Sequence, residues 1–273
     1  MPAQERPSLG ESIFVTRTRA DRLLVDRGLA PSRTRAQELI QGGRVTVDGA
    51  RLDKASTLVD SGAAVQVSGA PDFVSRGGKK LDPVLDVLGA RLEGSVVVDI
   101  GASTGGFTDV ALRRGARKVY AVDVGHGQLD ASLRNDTRVV AREGTNARHL
   151  EQSDFDEPVD AVLVDASFIG LEKLTDAIAR VLRPGGALVA LVKPQFQVGP
   201  DAARRTRGVV RDPDEREQAV ESVRAALRDK GFHIVAECDS PLPGPRGNVE
   251  RFIHAVLHTP RTSVPESDLL GSL

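Results

Sequence analysis

Two oppositely charged residues end apolar runs in the second half of the chain. Asp165 follows the run AVLV, and Lys193 follows the run ALVALV. Short apolar runs of this kind indicate buried strands, and a lysine at the end of a buried strand is costly unless it is paired or functional. If the two strands are neighbours, the carboxylate and the amine lie side by side. Such a pair suits proton transfer, or it is a structural ion pair.

Two further ionisable residues lie outside these runs. Lys80 follows the turn SRGGK, and Glu250 lies in PGPRGNVE just before the last apolar segment. Ligands of open α/β sheets bind beyond the carboxyl ends of the strands, where these residues can join Asp165 and Lys193. We refer to the four as the tetrad. From residue types alone, the tetrad is either a catalytic group or a buried ion-pair network.

The run VVVDIGASTGGFTDV, from Val96 to Val110, predicts a buried strand, a turn of small residues and the start of a helix. The glycines let the backbone approach a ligand closely. The turn lacks the G-x-G-x-x-G spacing of a dinucleotide site, and Phe107 stands where a phosphate-binding loop has lysine. With no cation to hold phosphates, the turn favours S-adenosylmethionine. The alternative interpretation is an ordinary turn between a strand and a helix, because such turns also need glycine.

A second strand, KVYAVDVG, ends in Asp123. Asp123 follows Asp99 at close to the spacing, roughly 20 residues, at which an acidic residue meets ribose hydroxyls in doubly wound folds. A solvated aspartate at a strand end is common, so Asp123 alone is a weak signal of a nucleoside site.

Seven apolar segments predict the strands of the larger domain, and helical patterns such as LEKLTDAIARVL separate several of them. The strand segments are VVVDIGAS, KVYAVDVG, RVVAREGT, DAVLVDASF, GALVALVKPQF, FHIVAECDS and RFIHAVLHT. This alternation predicts an α/β fold with a seven-stranded, mostly parallel, Rossmann-like sheet that is covered on both faces.

The segment from Arg17 to Lys54 has nine basic and five acidic residues, although the net charge of the whole chain is only −1. Its pattern predicts a small α+β domain: a helix that ends at Gly28, a second helix capped by Ser32, and a hairpin that turns at Asp48-Gly49. The apolar faces of the helices leave five arginines exposed: Arg19, Arg22, Arg33, Arg35 and Arg44. These arginines are either binding residues or, as is usual for exposed arginines on helices, part of a solvated face.

Composition bounds the class of protein. A chain of 273 residues with 40% hydrophobic content suffices for one domain of ordinary size and a smaller one. The apolar runs are too short to cross a bilayer and the N-terminus lacks an apolar signal core, so we expect a cytoplasmic protein without a membrane partner. A single cysteine, Cys238, and five scattered histidines predict neither a disulfide framework nor a metal site.

The N-terminal segment resembles the S4 RNA-binding fold of a ribosomal protein and of pseudouridine synthases. The matching pieces are Arg22-Leu23, Gly28-Leu29, Ser32-Arg33, Ala36, Leu39-Ile40, Gly43 and Val45-x-Val47-Asp48-Gly49. The resemblance implies that the five arginines bind RNA. Phosphate contacts of this kind give salt-dependent affinity with little base specificity.

The larger domain resembles the FtsJ-type ribose methyltransferases, and the whole chain resembles the TlyA family of ribosomal RNA 2′-O-methyltransferases, also called hemolysin A. The shared phrases are SRGGKKL, DIGASTGGFTDVALRRGA, GQL, SLRNDTRVV, GTNAR, VDASFI, LVKPQF and SPLPGPRGNVE. The resemblance implies S-adenosylmethionine as cofactor, ribosomal RNA or ribosomal subunits as partner, and cytidine 2′-hydroxyls as the acceptors.

The resemblance also implies roles for single residues. The family's Lys-Asp-Lys-Glu tetrad corresponds to Lys80, Asp165, Lys193 and Glu250, which would orient the ribose hydroxyl and remove its proton. The implied cofactor contacts are Gly101, Ser103, Gly105 and Gly106 around the methionine end, Asp123 at the ribose and Asn146 near the adenine, and Asp99 is a further implied cofactor-binding residue.

We therefore expect an N-terminal extension (1–16), an S4-like domain (17–68), a linker (69–75), a methyltransferase domain (76–260) and a flexible tail (261–273). Pro71 and Phe73 depart from the family's usual Arg-x-Trp-Val linker, and His126 and Gln197 replace a common Tyr and Glu. Two alternatives remain open: a methyltransferase that acts on a small molecule, and a ribosome-binding protein that only senses S-adenosylmethionine. The lack of a transmembrane or strongly amphipathic apolar segment in the sequence argues against membrane lysis.

Overall fold

The computed structural model describes residues 17–30, 32–68, 73–198, 208–244 and 246–258. The chain divides into two compact units, Met1–Pro71 and Asp72–Leu273. The expected N-terminal extension, the expected tail and Pro71 lie outside the described residues.

The first unit contains two short helices and five short strands. In chain order these are β1 (Arg17–Arg19), α1 (Ala20–Asp26), α2 (Arg33–Gln41), β2 (Val45–Val47), β3 (Ala50–Arg51), β4 (Leu58–Asp60) and β5 (Val65–Val67). Strand β1 pairs with β4, and β2 lies between β3 and β5, all antiparallel. The predicted helix, turn, helix and hairpin are confirmed. The sequence analysis missed β1, β4 and β5, because three residues are too few to show an alternating pattern.

Local signals position the two helices of this unit. The Ser32 hydroxyl accepts a hydrogen bond from the Arg35 N–H at 3.2 Å and caps α2 as predicted. Asp48 and Gly49 have φ values of 48° and 81°, which two-residue hairpin turns require. The apolar faces of α1 and α2 are buried with Val45 in a separate small core.

The second unit is a doubly wound α/β domain. Its elements are α3 (Arg76–Leu88), β6 (Val96–Ile100), α4 (Gly106–Arg113), β7 (Lys118–Val122), α5 (Ala131–Arg134), β8 (Val139–Arg142), β9 (Val159–Val164), α6 (Thr175–Val181), β10 (Leu182–Val192), α7 (Pro194–Gln197), α8 (Pro213–Asp229), β11 (Phe232–Asp239) and β12 (Arg251–Leu257). The seven strands lie in the order β11-β12-β10-β9-β6-β7-β8, and β12 is antiparallel to both neighbours. This confirms the predicted mostly parallel sheet.

Two apolar layers cover the sheet. Helices α3 and α4 pack on one face with Val97 and Val119, whereas α6 and α8 pack on the other with Val96 and Val98. Successive residues of β6 therefore face opposite layers, as the two-residue period of a strand requires. Asp99 has the same parity as Val97 and is fully buried.

Phe73 begins the described part of the second unit. Its ring lies 4.6 Å from the Arg113 guanidinium carbon, and a Cβ at Gly78 would come within 2.3 Å of it. The next residue, Val74, donates its backbone N–H to Asp109 Oδ2 at 2.9 Å. Residues 73–75, which the expected linker includes, are therefore packed against α3 and α4.

Candidate active site

The sheet has a topological switch point between β6 and β9. From β6 the chain continues to β7 and β8 on one side, whereas β9 is followed by β10 on the other. Ligands of open α/β sheets bind at such a point, beyond the carboxyl ends of the strands. Asp165 follows β9 directly and donates its N–H to the Ile100 carbonyl at 3.0 Å. Lys193 follows β10, the neighbour of β9, so the sequence correctly predicted that these two residues meet.

Lys193 is held by one ion pair and two hydrogen bonds. Its Nζ lies 2.7 Å from Asp165 Oδ1, 3.2 Å from the Asp165 carbonyl and 2.8 Å from the Ser167 hydroxyl. The lysine is buried and the aspartate partly exposed. These three contacts fix the position of the amine. Ser167 thus joins Lys193 and Asp165 in the site, and the sequence analysis did not identify it.

Lys80 and Glu250 form the other half of the tetrad. Lys80 Nζ donates to Glu250 Oε2 at 2.6 Å, and both side chains are buried. The second carboxylate oxygen, Oε1, is buried without a hydrogen-bond partner among the described residues. A Cβ at Gly244 would lie 2.5 Å from this oxygen. Glycine at 244 therefore leaves room for the carboxylate.

Two cavities meet at the switch point. The tetrad cavity has a volume of about 680 Å³, and its lining includes all four tetrad residues. The Asp123 cavity has a volume of about 560 Å³, and its lining includes Asp123 and Asn146. Both cavities are bordered by the same five residues: Gly101, Ser103, Asp165, Ser167 and Phe168. A group transferred from one cavity to the other would pass next to Asp165.

The glycines of the turn after β6 serve the protein's own packing. Gly101 has a φ of 82°, and a Cβ there would lie 3.0 Å from the backbone of Ala166. A Cβ at Gly106 would lie 2.2 Å from Ser75 Oγ and 2.8 Å from the backbone nitrogen of Gly78. Gly101 lines both cavities and Gly106 only the tetrad cavity, whereas Gly105 lines neither.

Asp123 holds two backbone segments that line its cavity. Its Oδ2 accepts from the Ser103 N–H at 2.8 Å, and its Oδ1 accepts from the Gly125 N–H at 2.7 Å. Ser103 has a φ of 47°, which is uncommon for a residue with a side chain, so this hydrogen bond supports a strained turn. Asn146 accepts the Arg148 N–H through its side-chain oxygen and begins a short 3₁₀ helix at the edge of the cavity.

Asp99 lies beneath the turn and lines neither cavity. It accepts a hydrogen bond from the Thr108 hydroxyl at 2.6 Å, and its other oxygen has no partner among the described residues. Complete burial raises the pKa of the Asp99 carboxyl to about 7, although the Thr108 hydrogen bond opposes this shift. The structure thus places Asp99 as a support of the turn rather than at a cavity wall.

Phe168 is the most unusual residue that the sequence analysis missed. Its side chain is 92% exposed, and its φ of 65° lies in the left-handed region. Its ring centroid lies 5.4 Å from that of Phe196, and Phe168 borders both cavities. An exposed aromatic ring on a strained backbone, at the mouth of a cavity, is a candidate ligand contact.

Comparison with known proteins identifies both units. Residues 73–256 match the model of the FtsJ-like methyltransferase family, and residues 18–65 match the S4 domain. The chain belongs to the FtsJ-like methyltransferase family. It is 44% identical, over 90% of its length and 92% of the relative's, to the 16S/23S rRNA (cytidine-2′-O)-methyltransferase TlyA of Mycobacterium tuberculosis. It is 36% identical to Hemolysin A of Brachyspira hyodysenteriae over 88% of this chain and all of that one.

A solved structure agrees with this assignment. A hemolysin from Streptococcus thermophilus shares 40% identity with this methyltransferase, covers 92% of both chains and superposes with a TM-score of 0.68. Within the described ranges, no helix of the methyltransferase combines the length and apolar character needed to span a membrane. Across the same ranges, no cluster of His, Cys, Asp and Glu side chains is arranged to hold a metal ion.

The five arginines of the S4 unit are tied to the methyltransferase's own oxygen atoms. Arg19 and Arg33 both bind Asp21, a fully buried carboxylate, at 3.0 and 3.1 Å. Arg22 lies 3.5 Å from Asp26. The remaining two, Arg35 and Arg44, are only partly exposed, so the prediction that all five are exposed was wrong for them. Arg35 lies along α2 against Glu38, and Arg44 donates to the Ser68 carbonyl.

Two other cationic side chains of this unit are not engaged by a described carboxylate. Arg17 and Lys54 are exposed and form no ion pair with any described residue. A cation without a carboxylate partner can neutralise a phosphate at no cost in broken ion pairs. The sequence analysis passed over both, because nothing in the local pattern distinguishes a paired from an unpaired cation.

Proposed function

We propose that this methyltransferase transfers the methyl group of S-adenosylmethionine to a cytidine 2′-hydroxyl of ribosomal RNA. The observation that carries the proposal is the pair of adjoining cavities. One contains an acidic residue suited to a ribose, and the other contains two buried lysines held by carboxylates. The cytidine and the ribosomal RNA come from the name of the M. tuberculosis relative, whose sequence this chain matches over nine-tenths of its length.

The Asp123 cavity suits S-adenosylmethionine. Each Asp123 oxygen accepts one backbone N–H and retains a second lone pair for a ribose hydroxyl. Asn146 would contact the adenine end, and the backbone at Gly101 and Ser103 would contact the methionine end. When bound, the cofactor supplies an electrophilic methyl group on a sulfonium. The five residues that border both cavities would then hold the methyl end of the cofactor next to the tetrad cavity.

The tetrad would position the hydroxyl and accept its proton. The ribose O2′ would form the new bond to the methyl carbon as the carbon–sulfur bond breaks, and the O2′ proton would pass to the side-chain nitrogen of a tetrad lysine. Lys193 is the candidate base because its partners Asp165 and Ser167 border both cavities. Lys80 and Glu250 line the same cavity and would hold the nucleotide there. The acceleration comes mainly from alignment of O2′, methyl and sulfur.

Two features would hold the RNA. The exposed ring of Phe168 offers a face on which an unstacked base can lie, as single-stranded RNA recognition commonly requires. The S4 unit would bind phosphates through its cations. We add Arg17 and Lys54 to the five arginines as proposed RNA contacts, because neither Arg17 nor Lys54 forms an ion pair with a described carboxylate.

The decisive experiment is methyl transfer from labelled S-adenosylmethionine to separated ribosomal subunits from a strain that lacks the gene. We expect label in RNA with the wild-type chain. Lys193→Arg keeps the charge opposite Asp165 but cannot lose its proton, so we expect transfer to fall about 10²–10⁴-fold with cofactor affinity retained. Lys173→Arg, at an exposed lysine outside both cavities, is the matched control.

Each proposed step has an outcome that contradicts it. Absence of label from both subunits would argue against RNA as the acceptor and favour a small-molecule substrate or a sensor. Normal transfer by Lys193→Arg would exclude Lys193 as the base while leaving the methyltransferase function intact. Calorimetric titration with S-adenosylmethionine separates loss of cofactor binding from loss of chemistry.

A further inference from the structure

Two amide side chains line the tetrad cavity, and they differ in their hydrogen bonding. Asn248 is fully used: its Oδ1 accepts from the Val210 N–H at 2.9 Å, and its Nδ2 donates to the Gly208 carbonyl at 2.8 Å. Gln195 forms no side-chain hydrogen bond within the ranges that the structure describes, and its Oε1 is buried without a partner. Buried polar groups are normally satisfied, so an orphaned amide in a ligand cavity calls for a ligand.

The position of Gln195 suits contact with a nucleobase. It lies on α7, two residues after Lys193, and lines the same cavity. Its neighbour in sequence, Phe196, contacts the exposed ring of Phe168 at the same cavity. A ribose that reaches Lys193 would carry its base towards the rings of Phe168 and Phe196 and the Gln195 amide.

The chemistry of an amide matches the edge of cytosine. An amide offers one acceptor and one donor side by side, whereas lysine and arginine only donate and a carboxylate only accepts. Cytosine presents an N4 amino donor next to the N3 acceptor on its Watson–Crick edge, which is read when a base is taken out of its stack.

We propose that Gln195 binds the Watson–Crick edge of the target cytosine, with Oε1 accepting from the N4 amino group and Nε2 donating to N3. The proposal rests on the proposed function, because it assigns a residue of the same site to the base of the RNA acceptor. Gln195 thereby fixes the identity of the nucleotide, while the tetrad acts on its ribose.

The test is chemical probing of the target cytosine in a stalled complex. The wild-type chain first identifies the methylated nucleotide in ribosomal subunits from a strain that lacks the gene. The same unmethylated subunits are then bound in the presence of S-adenosylhomocysteine and treated with dimethyl sulfate, which modifies N3 of accessible cytosines. We expect N3 of the target to be protected by the wild-type chain and reactive with Gln195→Ala.

A matched control lies two residues further along the chain. Gln197 is the same residue type on α7, but its Oε1 accepts from the Leu171 N–H at 3.2 Å and it lines neither cavity. Gln197→Ala should protect N3 as the wild type does. Gln195→Met, which keeps the side-chain length and removes both polar atoms, should lower kcat/KM by about ten- to hundredfold, the discrimination expected of one bidentate base contact. Unchanged affinity for S-adenosylmethionine shows that the variants are folded.

The outcomes separate this proposal from the function on which it rests. If the wild-type chain transfers no methyl group to RNA, the proposed function fails. If it methylates RNA but N3 stays protected in Gln195→Ala, or Gln195→Met retains full activity, only the role of Gln195 is overturned. Methylation of a nucleotide other than cytidine also overturns this role and leaves the methyltransferase activity standing.

Discussion

One ion pair of the S4 unit and one of the methyltransferase unit differ in their access to water. In the S4 unit, Arg22 and Asp26 form an ion pair in which both members are exposed. In the methyltransferase unit, Lys80 and Glu250 are both buried, 2.6 Å apart. Exposed pairs contribute little to stability and are weakened by salt, whereas a buried charge that loses its partner is strongly unfavourable. Arg22 can therefore exchange its carboxylate partner for a phosphate, whereas Lys80 and Glu250 hold one fixed geometry.

Breaking the buried pair tests the second half of this comparison. Lys80→Met leaves the Glu250 carboxylate buried and unpaired, so we expect the free energy of unfolding to fall by about 3–5 kcal/mol. Urea denaturation of the full chain measures the loss. Arg228→Met, which breaks an exposed pair with Glu221, should cost less than about 1 kcal/mol.

A second substitution sharpens that result. The double variant Lys80→Met with Glu250→Gln removes both charges and should recover much of the stability without recovering methyl transfer. Equal costs for Lys80→Met and Arg228→Met would contradict the contrast between buried and exposed pairs.

The buried carboxyl of Asp99 predicts a pH-dependent effect of intermediate size. Its pKa of about 7 in the folded chain exceeds the usual aspartate value, so the folded state binds more protons and loses stability as pH rises towards 7. Asp99→Asn removes this loss and can still accept from Thr108. Its stability relative to wild type should therefore increase by about 2–3 kcal/mol between pH 5 and pH 8. A difference that stays constant over this range would show that Asp99 does not titrate there.

The smallest effects are expected at the surface of the S4 unit. Arg17→Ala should weaken binding to ribosomal subunits several-fold, and it should reduce the slope of log affinity against log salt by about 1, because one phosphate contact is lost. Filter binding over a salt series measures both quantities. Arg228→Ala removes the same charge from α8 and should leave the slope unchanged. A reduced slope in both variants would indicate a general charge effect instead.

The sheet and half of the tetrad were predictable from the sequence for a physical reason. Buried parallel strands are apolar throughout, so β6, β9 and β10 are visible as runs, and residues after adjacent parallel strands share one edge. Asp165 and Lys193 meet by this rule. Lys80 and Glu250 lie on a helix and in a loop, and no periodicity indicates that these segments meet. The rule for ligand sites allowed these two residues to join Asp165 and Lys193, and the family resemblance grouped the four as one tetrad.

Other features of the site depend on tertiary structure alone. A positive φ at Phe168 and the unsatisfied amide of Gln195 leave no trace in local sequence, because any pattern there fits an ordinary loop. The pairing of Arg19 and Arg33 with the buried Asp21 is similarly hidden. Sequence identifies which groups are present, but partner choice follows from the packing of distant segments.

The space that Gly244 leaves next to the Glu250 carboxylate affects which substitutions can inactivate the protein in evolution. A Cβ at Gly244 would lie 2.5 Å from the Glu250 carboxylate. Substitution of Gly244 by alanine would therefore displace this carboxylate, although Gly244 itself carries no functional group. Inactivating substitutions should therefore occur at small residues as well as at the charged ones. In a population under selection against this modification, a Gly244 variant would be as informative as the loss of a lysine.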